Sequence, residues 1–239
     1  MTELLYHTDS FIKEFEAVVT DVLMAERAVI LNRTAFYPGG GGQPCDFGVF
    51  TVQGVPFPVE KVKKQGEAVL HFLAGDQPLP AAGSPVHGML DWARRYELMR
   101  THTALHILCG TIFRDYGAQV TGGDMQPGKG RLDFEFETMR GELVREIEAA
   151  INKEVAEARE IRVQILPREE AFQIPDLIRT KINLLPEGIT HVRTVEIVGL
   201  DLQADGGTHV RNTSEVGTIR IADYKSKGAI NKRIYIEIE

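Results

Sequence analysis

Short strand-like segments, each bounded by turn residues, fill residues 1–90 and place the tightest limit on what this chain can fold into. Apolar and β-branched residues cluster at 15–19, 28–31, 49–52, 55–62 and 68–73. Glycine and proline separate these segments, most densely at Pro38-Gly39-Gly40-Gly41-Gly42. Many short strands with frequent turn signals are typical of a small β-barrel or a β-sandwich. The sequence therefore predicts one of these two architectures for its N-terminal part.

The pattern changes after a turn-rich stretch at 78–83, and we place a domain boundary near residue 90. The resulting domains, 1–90 and 91–239, fit a chain of 239 residues, since a typical domain has roughly 100–200. A helix is predicted over 94–115, with an apolar stripe formed by Leu98, His102, Leu105, His106 and Cys109.

A second, amphipathic helix is predicted over 143–158, with Thr138 as a candidate N-cap. Further strands are predicted at 132–136, 161–165, 192–198, 217–222 and 233–238, and a short helix at 167–172. Helices interspersed with strands of alternating polarity indicate an α+β fold on a largely antiparallel sheet.

The charge balance limits the classes of partner. The chain has 27 Lys and Arg against 34 Asp and Glu, a formal net charge of −7. This argues against general electrostatic binding of nucleic acid but leaves room for a local basic patch. No apolar run approaches the ~20 residues that span a bilayer, and the N-terminus lacks the features of a secretory signal. Two cysteines form no disulfide framework, so we expect a cytoplasmic protein without a membrane partner.

Two histidines of the first predicted helix, His102 and His106, are four residues apart and therefore share a helix face. Imidazoles at this spacing can bind one metal ion, as in the H-E-x-x-H motif, although the glutamate of that motif is missing here. Such pairs arise often by chance. Taken alone, the pair is better explained as core histidines with hydrogen-bond partners. We interpret His7, His71, His87 and His191 as surface or packing residues.

A glycine-containing segment downstream supplies two more potential ligands, Asp205 and His209. The two glycines between them allow the backbone to bend sharply and to approach a ligand. The alternative is a glycine-rich hairpin with an incidental histidine. Together with the helical pair, the segment brings the set to three imidazoles and one carboxylate, which is a credible zinc site.

The glycine run is flanked by Phe36, Tyr37 and Gln43. Four successive glycines are costly in chain entropy, so a simple flexible loop is one explanation and close backbone approach to a ligand is the other. The flanking aromatic and polar residues favour the second. The run lacks the Lys-Ser/Thr ending of a P-loop and is not a Walker A motif.

Three motifs occur in order along the chain: Thr34-x-Phe36-Tyr37-Pro38 with Gly40-Gly41-Gly42-Gln43, then His102-x-x-x-His106, then Gly206-Gly207-Thr208-His209-Val210. The last is followed by Arg211-Asn212-Thr213-x-Glu215-x-Gly217. This combination resembles the editing half of alanyl-tRNA synthetase, and most of all the freestanding alanyl-tRNA editing proteins of the AlaX type. The resemblance extends from Thr34 to the C-terminus.

The resemblance implies an N-terminal β-barrel that carries the glycine-rich motif, followed by an α+β domain like the second additional domain of threonyl- and alanyl-tRNA synthetases. It also implies a zinc ion bound by His102, His106 and His209. Asp205 occupies the fourth position, where cysteine is common in the family. Asp205 therefore binds zinc directly, binds it through water, or leaves a position open.

The implied reaction is hydrolysis of the ester between serine and tRNA for alanine, with glycine as a further candidate substrate. No obligatory protein partner is evident. Thr34 is the family-matched residue for recognising the serine hydroxyl. Gln43 either makes a second polar contact or keeps the glycine loop in shape. Phe36 and Tyr37 either stack on the terminal adenosine or belong to the core.

Two other functions remain open. One is a tRNA-binding accessory protein with weakened catalysis, which the aspartate at position 205 motivates. The other is editing of threonyl-tRNA type, although the Gly40-to-Gln43 motif favours the alanine family. We expect weak, salt-sensitive tRNA binding on one face, because residues 224–233 contain no acidic residue. The predicted tRNA contacts are Gly40, Gly41, Gly42, Arg94, Arg95, Lys225, Lys227 and Arg233.

Overall fold

A computed structural model describes residues 1–136, 138–178 and 188–239 of the chain. It divides into two compact units, Met1–Tyr96 and Glu97–Glu239. The domain assignment at 1–90 and 91–239 stays a prediction. In the part of the chain that the structure describes, no helix has both the length and the apolar character needed to cross a membrane.

The first unit contains a closed antiparallel barrel. Its strands are β1 (Glu3–Leu4), β2 (Glu14–Leu23), β3 (Ala28–Leu31), β4 (Arg33–Thr34), β5 (Gly48–Val52), β6 (Val55–Gln65), β7 (Ala68–Leu73) and β8 (Pro85–Leu90). The barrel order is β2-β3-β7-β6-β5-β8, and β8 pairs back with β2. The short β1 and β4 pair in parallel beside a 3-10 turn at Leu5–His7. Of the two predicted architectures, the barrel is confirmed.

Strand β2 shows why these residues form a barrel wall. Phe15, Ala17 and Val19 are buried, whereas the alternating Glu14 and Glu16 are exposed. This period of two places every second side chain in the apolar core. Register shifts in β2 and β6 mark bulges, which sharpen the local bend of a strand and help a small sheet to close.

The second unit is α+β, as predicted. Its elements are α1 (Trp92–Tyr116, which begins in the first unit), β9 (Val120–Gln126), β10 (Lys129–Glu135), α2 (Gly141–Ala156), β11 (Ile161–Pro167), α3 (Arg168–Ala171), β12 (His191–Ile197), β13 (Asp201–Ala204), β14 (Ile219–Ser226) and β15 (Asn231–Ile238). The strands form two antiparallel sheets, with orders β14-β15-β10-β9 and β11-β12-β13. A 3-10 turn at Thr213–Val216 precedes β14.

Helix α1 has clear start and stop signals. The Asp91 side chain accepts the Arg94 N–H at 3.1 Å, as an N-cap residue does. The helix ends at Tyr116, and the next residue, Gly117, has a φ of 67°, which favours glycine. Every residue from 101 to 112 is buried, so this stretch buries all its faces, and the single predicted apolar stripe understates its burial.

A glycine brings α1 close to the smaller sheet. A Cβ added at Gly110 would lie 2.8 Å from the Cβ of Asp201, which is closer than real side chains approach. The absence of a side chain at Gly110 therefore lets the helix lie directly against the start of β13.

Helix α2 packs its apolar face through Val144, Ile147 and Ile151. Its Asn152 side chain exchanges two hydrogen bonds with the backbone of Ile219, at 2.7 and 2.9 Å, which joins the helix to β14. The prediction of Thr138 as N-cap is wrong. The helix begins at Gly141, so Arg140 holds the N-cap position without a side-chain cap, and Thr138 lies too far upstream.

Candidate functional site

Four side chains predicted as metal ligands lie together in the second unit. One ligand atom from each of His102, His106, Asp205 and His209 lies within 4.8 Å of the others. The first two come from successive turns of α1, and the last two from the segment that follows β13. All three histidines are buried. This group of four, which we call the histidine cluster, can bind a metal ion.

Hydrogen bonds to outlying residues orient two of the imidazoles. Nδ1 of His106 lies 3.1 Å from Oδ2 of the buried Asp201 and donates to it. Nδ1 of His209 lies 3.1 Å from Oγ1 of Thr103. Partners on the Nδ1 side leave Nε2 to face a metal, and a carboxylate partner also increases the basicity of the ligand nitrogen.

Asp205 closes the histidine cluster from one side. Its Oδ2 atom lies 3.0 Å from Nε2 of His209 and accepts the Gly207 N–H at 2.8 Å. Its Oδ1 atom lies 3.7 Å from Nε2 of His102. The Arg193 guanidinium donates to the Asp205 carbonyl at 2.9 Å, which fixes the backbone of this residue. The backbone bends at Gly207, as the two glycines allow, although neither glycine between Asp205 and His209 has a positive φ.

Burial is the largest single influence on the protonation of the cluster. It lowers the pKa of His209 to about 4, and it holds the pKa of His102 well below its ordinary value. Burial raises the pKa of Asp205, but the three histidines outweigh it and leave that pKa well below its ordinary value. Burial also lowers the pKa of His106, but Asp201 outweighs it and raises that pKa. At neutral pH His102 and His209 are neutral and Asp205 is ionised, as metal ligation requires.

The glycine run of the first unit forms a defined turn. Gly39, Gly40, Gly41 and Gly42 have φ values of 83°, 140°, 57° and 92°. Gly40 and Gln43 exchange backbone hydrogen bonds of 3.0 and 2.9 Å around the two central glycines. The φ values at those two positions match a type I′ turn, which residues with a side chain rarely adopt. The backbone conformation therefore requires these glycines.

A buried ion pair anchors this turn. The Asp46 carboxylate pairs with the Arg95 guanidinium and accepts the Tyr37 N–H at 2.6 Å. Arg95 is fully buried and also donates to the carbonyls of Ser10 and Ala35. The predicted contact of Arg95 with tRNA conflicts with this burial. The guanidinium instead connects the two ends of the glycine-rich segment.

Arg94 and the other residues near the glycine run are also buried or make contacts within the first unit. Arg94 donates to the Cys45 carbonyl at 3.1 Å and covers the Phe47 ring, 4.0 Å from its centroid. Gln43 is 2% exposed. Phe36 is fully buried in the barrel core, and Tyr37 is buried with its hydroxyl donating to Gly40. Their burial favours the core assignment over stacking on adenosine.

Thr34, at the end of β4, is fully buried in the first unit, so a substrate could reach its hydroxyl only if this region opens. Its Oγ1 atom is 2.8 Å from Nε2 of His71 and accepts the Phe36 N–H at 3.1 Å. His71 is buried, which matches one of the two alternatives predicted for it. Burial lowers the pKa of His71 to about 4.

Two of the predicted phosphate-binding residues have acidic partners from outside their own stretch. Arg233 forms two hydrogen bonds with Asp133, at 2.6 and 2.8 Å, and Lys225 lies 3.0 Å from Asp223. The absence of acidic residues from 224–233 therefore does not leave these two charges uncompensated. Lys227 is exposed.

Two family models match this chain, one in each of its two parts. A family model described as tRNA synthetases class II (A) matches residues 3–94. A model of the threonyl and alanyl tRNA synthetase second additional domain matches residues 192–235. The chain is 39% identical, over 92% of its length, to 24% of an alanine–tRNA ligase from Ignicoccus hospitalis.

Full-length similarity is found to freestanding proteins. The chain is 38% identical to alanyl-tRNA editing protein AlaX-M of Methanosarcina acetivorans, over 100% of this chain and 99% of that protein. It is 40% identical to alanyl-tRNA editing protein AlaX-M of Saccharolobus solfataricus, over 100% of both. These matches confirm the resemblance found in the motifs. The chain belongs to the AlaX-M family of alanyl-tRNA editing proteins.

Proposed function

We propose that this protein is a zinc-dependent hydrolase that deacylates mischarged tRNA for alanine, with seryl-tRNA as its main substrate and glycyl-tRNA as a second one. The observation that carries the proposal is the convergence of three imidazoles and a carboxylate within 4.8 Å in a chain of this family. Neither Cys45 nor Cys109 forms a disulfide, which supports a reducing compartment and hence the cytoplasm.

The donor set of the histidine cluster suits zinc. Zinc accepts imidazole nitrogen and carboxylate oxygen and tolerates a fourth ligand of either kind. When bound, it would supply Lewis-acid polarisation of a carbonyl or lower the pKa of a bound water to ~7. His102, His106 and His209 would provide the nitrogen ligands.

For Asp205 we propose direct ligation. The Gly207 N–H occupies Oδ2, whereas Oδ1 faces His102 at 3.7 Å. This arrangement fixes the carboxylate plane and presents Oδ1 to the cluster. The low pKa of Asp205 keeps that oxygen unprotonated throughout the neutral range.

The remaining residues would bind and discriminate the substrate. Thr34 would recognise the serine hydroxyl, because a buried polar group left unpaired by alanine penalises the wrong substrate. Gln43 would contribute a second polar contact or hold the turn. The turn glycines Gly40, Gly41 and Gly42, together with Arg94, Lys225, Lys227 and Arg233, remain the proposed tRNA contacts, and Arg95 no longer belongs with them.

Deacylation assays test this proposal. Purified protein with measured zinc content is incubated with tRNA for alanine charged with serine, glycine or alanine, with and without a chelator. We expect fast, chelator-sensitive release of serine and slow release of alanine. Zinc-free protein that binds tRNA without hydrolysis would instead support the accessory function. Preferential hydrolysis of seryl-tRNA for threonine, added as a further substrate, would support threonyl-type editing.

A further inference from the structure

His71 is the hydrogen-bond partner of Thr34, and its own contacts determine which of its two ring nitrogens carries the proton. Nδ1 of His71 lies 3.3 Å from the Val29 carbonyl oxygen, which can only accept a hydrogen bond. Nδ1 must therefore carry a proton. With its pKa lowered to about 4, the imidazole is neutral at physiological pH and has one N–H in total. Nε2 is consequently unprotonated and accepts.

The orientation of the Thr34 hydroxyl follows from this tautomer. Its proton points to Nε2 of His71, 2.8 Å away, and one of its lone pairs accepts the Phe36 N–H. A threonine hydroxyl has one donor and two acceptor positions. Donor capacity is therefore used up, and one acceptor position remains.

Packing keeps the imidazole in this position. The His71 ring meets the Phe36 ring edge to face, with centroids 5.8 Å apart, and lies 5.1 Å from the Phe50 ring. All three side chains are buried in the barrel. A ring fixed by aromatic neighbours on this scale does not reorient at low cost.

We infer that His71 is a positioning residue for specificity, which makes the Thr34 hydroxyl a hydrogen-bond acceptor and so selects aminoacyl groups that carry a donor, such as the seryl hydroxyl. The inference rests on the proposed function, in which Thr34 recognises serine. Alanine brings no donor and would leave the acceptor position unpaired, which penalises alanine relative to serine.

The tautomer can be measured without any assay of activity. In protein labelled with ¹⁵N-histidine, long-range ¹H–¹⁵N spectra distinguish protonated from unprotonated ring nitrogens, and the His71→Phe variant assigns the signals. We expect a protonated Nδ1 and an unprotonated Nε2 at neutral pH. A protonated Nε2 would overturn the inference even if the protein proves to be an active editing enzyme. Lack of hydrolysis with the expected tautomer would instead count against the proposed function.

A double-mutant cycle then tests the link to specificity. His71→Phe keeps the aromatic packing and removes the Nε2 acceptor, whereas His71→Gln keeps an acceptor near that point. We expect His71→Phe to lower the ratio of serine to alanine kcat/KM roughly tenfold, the effect of one ordinary hydrogen bond, and His71→Gln to restore most of it. Thr34→Val should lower the ratio at least as much, and adding His71→Phe to it should change nothing further.

A purely structural role for His71 predicts a different pattern. Hydrolysis of seryl- and alanyl-tRNA would then fall by the same factor, and the effects of the two substitutions would add. That result would refute the inference. Thermal unfolding and zinc content, measured for each variant, verify that the folded protein is being compared.

Discussion

The histidine cluster of the second unit and the Thr34 region of the first are built in opposite ways. The cluster gathers ionisable groups whose pKa values shift in both directions, and it depends on Asp201 and Arg193 around it. The Thr34 region is neutral at its centre, with one uncharged histidine and a backbone turn. Under the proposed function, this contrast predicts that reaction rate and substrate choice can be separated by mutation, because the cluster would supply reactive charge and the Thr34 region would supply hydrogen-bond direction.

The largest expected effect comes from removing two ligands of the cluster. The combined substitutions His102→Ala and His106→Ala should abolish stoichiometric zinc and lower deacylation about 10³-fold or more, because metal assistance accounts for several kcal/mol of the barrier. Metal analysis of the purified variant and single-turnover deacylation measure both. Thr34→Val serves as the control and should keep its zinc. Stoichiometric zinc in the double variant would refute the ligand assignment and with it one side of the contrast.

The next effect concerns the buried ion pair that anchors the glycine turn. Arg95→Met leaves the Asp46 carboxylate buried without its partner and should lower the free energy of unfolding by about 3–5 kcal/mol. Lys225→Met removes an exposed pair with Asp223 and should change the free energy of unfolding far less, because water screens that pair. Denaturant titrations compare the two variants. Equal destabilisation would mean that Arg95 does not act as the internal anchor of this segment.

A smaller effect is expected from Asp201, which contacts the histidine cluster through His106. Asp201→Asn keeps the shape of the side chain but removes the charge that faces Nδ1 of His106, and should weaken zinc binding about 10- to 100-fold. Competition with a chromophoric chelator gives the affinity. Asp223→Asn, at an exposed position of β14, is the matched control. Unchanged zinc affinity in Asp201→Asn would show that the histidine cluster does not depend on the charge of Asp201.

The smallest effect concerns tRNA binding. Lys227→Ala should reduce the slope of log affinity against log salt concentration by about 1, the amount for one lost phosphate contact. Arg233→Ala should change it less, because Asp133 already engages that guanidinium in two hydrogen bonds. Filter binding at several salt concentrations would measure both slopes. A larger effect for Arg233 would show that the pair opens to meet phosphate.

Local patterns in the sequence were sufficient to predict most of the elements. Strands β3 and β7 match their predicted limits, and α1 differs from its prediction by two residues at the start and one at the end. Strand β9 was missed because Gly122, Gly123 and Asp124 are poor strand formers, and its pairing with β10 stabilises it. Such a strand depends on its partner, which local sequence does not reveal.

The candidate site was likewise predictable only where a local motif identified its residues. Motifs pointed to His102, His106, Asp205 and His209, but no pattern pointed to Asp201, which lies 95 residues from its partner His106. No sequence pattern distinguished the buried Arg95 from the partly exposed Arg94 either. Adjacent helical residues differ by about 100° in direction, so only the fold shows which of the two guanidiniums enters the interior.

The four positive-φ glycines have a consequence for the proposed contact between this turn and tRNA. A tetraglycine segment has many conformations in an unfolded chain, and restricting it is unfavourable. The Asp46–Arg95 pair and the Gly40–Gln43 hydrogen bonds impose that restriction when the protein folds. A ligand that approaches the turn therefore meets a preorganised backbone and loses none of its binding energy to ordering it. The conformational entropy of these glycines is therefore lost when the protein folds and not when a ligand binds.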